Sequence, residues 1–204
     1  MTSRMVGLIA VVGAVAALLY LLVFDVWVVR GDGPWFAVSV APNLAADDVV
    51  LVSRRSRPGP GDLARCLHPD GSGRGVVGRV TARGGETVEV VNERVSVSGR
   101  SIAVEASCGS VSVVHPLLST AVELSCSEES DGRSRYRVVV DPLTRDRQRV
   151  QRVEPGKVFL VSDNRHLHFD SRDFGEVDES TCVRLDVVLC GANPLNARRW
   201  LKFL

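Results

Sequence analysis

From residue 5 to residue 24 the chain carries no charge, a run of 20 residues in a sequence of 204. A helix of that length, at about 1.5 Å rise per residue, spans the roughly 30 Å hydrocarbon core of a bilayer. After Asp25 the apolar run resumes as far as Val29, and Tyr20 and Trp27 lie toward its distal end, where amphipathic rings favour the membrane interface. A cleaved secretory leader is the rival reading, since Arg4 supplies a short basic region. Such a leader has an apolar core of about 7–15 residues followed by a small-x-small site. Here residues 24–27 read Phe-Asp-Val-Trp, and Ala14 and Ala16 fall in mid-run. The sequence therefore predicts an uncleaved, single-pass anchor over residues 5–29, with the lipid bilayer as a partner.

The remainder is a domain of ordinary size. At 45% hydrophobic the chain is not disordered, and a net charge of +1 removes the basic excess that a nucleic-acid binder shows, so no nucleic-acid partner is expected. Residues 31–191 read as mainly β. Valine-rich runs recur over residues 48–52, 75–80, 86–91, 94–97, 136–140, 157–161 and 183–189, and Asn92-Glu93 is placed as a hairpin turn between two of them. Pro- and Gly-rich loops are expected over residues 57–62 and 69–75. Residues 100–153 form an insertion whose patterning is weak, and residues 192–204 a short amphipathic tail, expected to be helical. Of 25 basic residues only Lys157 and Lys202 are lysines.

The five cysteines, Cys66, Cys108, Cys126, Cys182 and Cys190, show no CxxC spacing, and the histidines lie elsewhere, so neither a metal nor a cofactor is expected. Cys108 and Cys126 are the expected disulfide. Cys182 and Cys190 fall on one predicted strand, too far apart to join, and an odd count leaves at least one thiol free.

Three segments concentrate polar and turn-forming residues. The first is Ser39-Val40-Ala41-Pro42-Asn43-Leu44. The second runs from Gly78-Arg79-Val80 through Gly84-Gly85 to Glu86-Thr87-Val88. The third packs Asp163-Asn164-Arg165 and Asp170-Ser171-Arg172 into ten residues around His166 and His168, directly after an apolar strand. Such a loop is either solvated surface or a hydrogen-bonded floor beneath a site.

Taken in order behind an apolar N-terminal run, the three segments resemble those of the type I signal peptidases, membrane-bound serine endopeptidases. That family's pattern is Ser-Met-x-Pro-Thr-Leu, then Lys-Arg-Val-Val-Gly-Leu-Pro-Gly-Asp, then Gly-Asp-Asn-Arg with Asp-Ser-Arg shortly after. The resemblance implies an extracytoplasmic antiparallel β-sheet catalytic domain on the cell (inner or plasma) membrane, with signal peptides of preproteins as substrates. It implies Ser39 as nucleophile, its backbone N–H as an oxyanion donor, and Asp163, Asn164, Arg165, Ser171 and Arg172 as supports of the site. Ser39 follows Arg30 by nine residues, so it lies within about 30 Å of the membrane surface at about 3.3 Å per residue.

The departure from the pattern falls on the base. The family lysine aligns with Gly78, and the neighbouring Arg79 cannot replace it, because a guanidinium does not deprotonate in proteins. Lys157 opens the strand before the third segment and Lys202 is near the C-terminus, so neither is expected to help. His168 aligns with a family serine that bonds the catalytic lysine. Gly78 is expected to clear space for its imidazole, and Asp170 or Asp163 to orient it. Histidine titrates near neutrality, whereas a lysine base costs about 4 kcal/mol of desolvation to reach it. The expectation is a Ser39–His168 dyad oriented by Asp170. The alternative is an inactive relative that binds signal peptides or a secretion partner, since loss of the base costs a serine protease about 10⁶-fold in kcat.

Overall fold

The computed structural model describes residues 9–15, 20, 22–30, 33–145, 148–193 and 197–204. Its strands are β1 (Phe24–Val28), β2 (Val49–Ser53), β3 (Leu63–Leu67), β4 (Gly75–Arg83), β5 (Thr87–Val91), β6 (Arg94–Val97), β7 (Arg100–Ser101), β8 (Ala103–Val114), β9 (Ala121–Ser130), β10 (Arg135–Val140), β11 (Arg149–Arg152), β12 (Lys157–Val161), β13 (Val177–Asp178), β14 (Val183–Cys190) and β15 (Lys202–Phe203). The short helices Pro34–Ser39 and Ser171–Phe174 lie between strands. The valine-rich runs read from sequence all become strands, since β-branched side chains pack well on a pleated surface.

Among the described residues these strands form three antiparallel sheets. The largest has the order β1-β2-β14-β3-β4-β12-β13, with β15 also paired to β14. A second joins β11-β5-β6-β7, and its β5–β6 turn has Asn92 and Glu93 at φ 49° and 64°. Two successive left-handed residues match the twist of a two-residue hairpin, as the sequence predicted. The third sheet, β10-β9-β8, is the insertion.

The anchor expected over residues 5–29 is corrected at its distal end. Residues 9–15 are helical and exposed, but Phe24–Val28 is a strand paired in register with β2, Phe24 opposite Ser53 and Val28 opposite Val49. Trp27, expected at a membrane interface, packs edge-on against Phe36 with ring centroids 6.2 Å apart. Asp25 marks the break, paired to Arg54 at 3.1 Å. The alternation of Phe24, Val26 and Val28 with Asp25 and Trp27 suits a pleated ribbon whose backbone groups β2 satisfies. Among the described residues no helix is long and apolar enough to cross a membrane. The rest of the expected anchor falls partly on residues 5–8, 16–19 and 21, outside those described.

The tail is not the helix expected of it. Ala197–Arg199 forms one 3-10 turn and Lys202–Phe203 is a strand on the edge of β14. The chain reverses at Leu201, whose φ is 51°.

The short Ser39 helix sits between two apolar clusters. Phe36 and Val40 pack with Val50, Val52, Leu63 and Leu185 of the main sheet. Trp35, Val38 and Ala41 pack against Val113, Leu124, Cys126, Val139 and Leu167, most of them from the insertion. The weakly patterned segment is thus the second wall around the helix. Fully burying one valine or leucine contributes about 1.5–3 kcal/mol, so the two clusters hold that helix firmly.

Cys108 and Cys126 are bonded, as expected, and Cys66 is bonded to Cys182 across the main sheet. Cys190 is the free thiol.

Candidate active site

The third segment is a buried floor rather than a solvated loop. Ser162, Asp163, Asn164, Asp170 and Ser171 are wholly buried and Arg165 nearly so. Asp163 receives a bidentate pair from Arg79, Nε to Oδ1 and Nη2 to Oδ2, both 2.8 Å. The Arg79 guanidinium also lies 3.9 Å from the ring centroid of Tyr136. Asn164 clamps the Ser39 helix: its amide N–H donates to the Ser39 carbonyl at 3.0 Å, and its side chain to the Val38 carbonyl at 3.1 Å.

Asp170 caps the Ser171–Phe174 helix, with Asp173 completing the reciprocal box. It accepts from Arg172 at 2.8 Å and from the Ser162 N–H at 2.7 Å. Burial pushes its carboxyl up, but the Arg172 guanidinium and these donors hold it well below the ordinary carboxylate range. The Ser171 hydroxyl accepts from the Leu160 N–H at 3.0 Å, and Arg172 Nη1 donates to the Arg165 carbonyl at 2.9 Å. Arg165 itself pairs with Glu129 at 2.7 Å. Burial raises the Glu129 carboxyl despite that pairing, and carries the Tyr136 hydroxyl up to about 12.

Ser39 closes its helix at 1% exposure, and its hydroxyl donates to the Phe36 carbonyl at 2.9 Å. His168 lies elsewhere, lining a cleft of about 410 Å³ with Trp35, His166, Leu167, Phe169 and Asp173. A second cavity of about 240 Å³ shares Trp35 and Phe169 and adds Phe36, His68 and Val76. Ser39 lines neither, and it shares no hydrogen bond with His168 among the described residues.

Three expectations change. Asp170 was expected to orient His168, but its oxygens are committed to Arg172 and Ser162, and it stands 4.0 Å from the imidazole. Asp163 is likewise taken up by Arg79. The carboxylate on His168 is Asp173, Oδ2 at 2.9 Å from Nδ1. Gly78, expected to make room for the imidazole, faces Leu160 instead: a Cβ placed there meets the Leu160 Cβ at 3.0 Å. Lys202, expected to give no help as a base, has Nζ 3.0 Å from the Asn43 carbonyl and shares no hydrogen bond with Ser39 among the described residues.

Other participants went unnoticed in the sequence. Glu129 and Tyr136 come from the insertion; Tyr136 opens the valine-rich run 136–140, but nothing in the sequence marks either side chain as part of a site. Glu93 is buried at the hairpin turn, accepting from the Asp141 N–H at 2.8 Å and meeting His166 Nδ1 at 2.9 Å. Its left-handed φ was legible from the turn, its carboxylate partners were not. His168, Asp170 and Asp173 bring possible ligand atoms within 4.8 Å of one another. The Arg172 cation on Asp170 opposes a metal ion there.

The antiparallel sheet domain is the architecture the resemblance implied, and the Ser39 helix and the buried Asp-Asn-Arg and Asp-Ser-Arg floor are what the structure adds. A family model described as signal peptidase, peptidase S26, matches residues 3–188, and the chain belongs to that family. No individual curated protein matches it.

Proposed function

We propose that this chain is a membrane-anchored serine endopeptidase of signal-peptidase type, acting outside the cytoplasm on signal peptides, with Ser39 as nucleophile and His168 as base. The observation that carries the reading is the His168–Asp173 pair. Asp173 engages Nδ1, which leaves Nε2 to take a proton, the division of labour that a serine-protease imidazole needs. The cleft holding that ring also holds Trp35, which is four residues before Ser39 on the same helix and therefore on the same face. Catalysis on this reading needs the Ser39 hydroxyl to leave the Phe36 carbonyl by a side-chain rotation toward the cleft. The Ser39 backbone N–H then serves the oxyanion.

Two disulfides support an oxidising, extracytoplasmic compartment. The exposed apolar helical residues Ile9, Val11, Val12 and Val15 support membrane attachment.

The second reading is a relative that binds signal peptides without cutting them. It is favoured by the Ser39 hydroxyl, which is buried and already bonded. A liposome assay with a presequence substrate separates the two. On the peptidase reading, Ser39→Ala and His168→Ala abolish cleavage equally. Full activity in His168→Ala sinks the dyad. A wild type that binds presequence but never cuts it establishes the second reading.

A further inference from the structure

The tail returns to the loop that follows Ser39. Lys202 pairs with Val188 on the edge of β14, and the Leu204 N–H donates to the Asp186 carbonyl at 3.1 Å. Held there, Lys202 Nζ donates to the Asn43 carbonyl at 3.0 Å and lies 3.5 Å from the Pro42 carbonyl. Arg199 reaches the far end of the same loop, Nε donating to Asp48 at 2.9 Å. Asp48 is wholly buried and also accepts from the Ala45 N–H at 2.8 Å. The loop is tied from its inner side as well, the Asn43 side chain donating to Asp163 at 2.7 Å.

We infer that the C-terminal segment is a latch on the Ser39 loop, with Arg199 and Lys202 as positioning residues that hold residues 42–48 against the main sheet. The inference rests on the reading that this loop belongs to the working site. Asn43 is buried, so its carbonyl needs a donor, and leaving a buried acceptor unpaired is costly. The two cations supply donors from a segment that only tertiary folding brings near.

The latch carries a pH signature. Burial pushes the Lys202 ammonium down to about 8, with Arg199 and Arg137 adding to the effect and Asp163 and Asp48 opposing it. An opened latch returns the amine to water and to its ordinary value of 10.5. Closing therefore releases a proton between those values, and the closed form gains as pH rises through that window. The neutral amine still donates to the Asn43 carbonyl.

Amide hydrogen exchange on the detergent-solubilised full chain tests the latch at Ala41 and Leu44, whose N–H groups bond to the Val38 and Val40 carbonyls. Lys202→Met is expected to lower protection there by about tenfold or more while leaving β4 amides unchanged, and Lys202→Arg to restore it. Wild-type protection at these two amides rises by up to about 70-fold between pH 7 and pH 10, relative to Lys202→Arg, which stays flat. Unchanged protection in Lys202→Met, an equal loss in β4, or a wild type that parallels Lys202→Arg across pH overturns the inference. If Lys202→Met does not fold, the comparison of wild type with Lys202→Arg decides alone. Presequence cleavage in the same samples reports separately: a wild type that never cuts defeats the peptidase reading and leaves the exchange result standing.

Discussion

Arg79 and Asp163 show how much of this site is electrostatics held out of water. Both are buried, and their two parallel hydrogen bonds fix the carboxylate that also accepts from the Asn43 side chain. Removing one partner from such a pair leaves a buried charge unmatched, at a cost of about 3–5 kcal/mol. Asp163→Ala is therefore expected to lower urea-unfolding stability by that amount, and Arg79→Leu with Asp163→Leu together to recover part of it. An Asp163→Ala loss under about 1 kcal/mol contradicts this account. Asp170 makes a pH-dependent contribution of definite sign. Its folded carboxyl titrates below the ordinary 3.8, so its stabilisation is present above that value and is lost as pH falls toward the folded one. Stability measured below about pH 4 should fall more steeply for wild type than for Asp170→Asn, although the variant begins less stable. Equal slopes would remove Asp170 from the acid response.

At the scale of elements, the insertion sheet decides the surroundings of Ser39. β10 runs beside the third segment: Val139 donates to the Asp163 carbonyl at 2.9 Å and its own carbonyl accepts from Arg165 at 2.8 Å. The β8–β9 hairpin is stapled by Cys108–Cys126, separated by 18 residues, and the main sheet by Cys66–Cys182, separated by 116. Loop-closure entropy grows slowly with length, so removing the first costs about 3 kcal/mol and the second about 4–5. Paired serine substitutions, compared by denaturant midpoint, should show that order. The reverse order would mean that the hairpin staple also holds native packing at the Ser39 helix. The valine strands and the Asn92-Glu93 turn were readable because alternation and turn chemistry are local. The insertion was not, because β8 and β9 hold exposed serines and glutamates among few core residues, such as Val113, Leu124 and Cys126.

Over the whole molecule, an apolar N-terminal run precedes a disulfide-bonded sheet domain, and the proposed extracytoplasmic placement rests on that pairing. Cys190 provides the check, as the one thiol outside a disulfide. In intact bacteria expressing the chain, a membrane-impermeant maleimide should label Cys190 without lysis, and alkaline carbonate should leave the chain in the membrane fraction. Labelling only after lysis would place the domain inside. The linear sequence by itself determined the valine-rich strands, the Ser39 segment and the polar loop of residues 162–172, because each is written in neighbouring residues. Only the tertiary structure decided that Leu160 faces Gly78, that Asp173 rather than Asp170 holds His168, and that Lys202 reaches Asn43. These contacts depend on strand register and on competition between neighbouring donors. A side chain with several possible partners is assigned only when packing has placed them all.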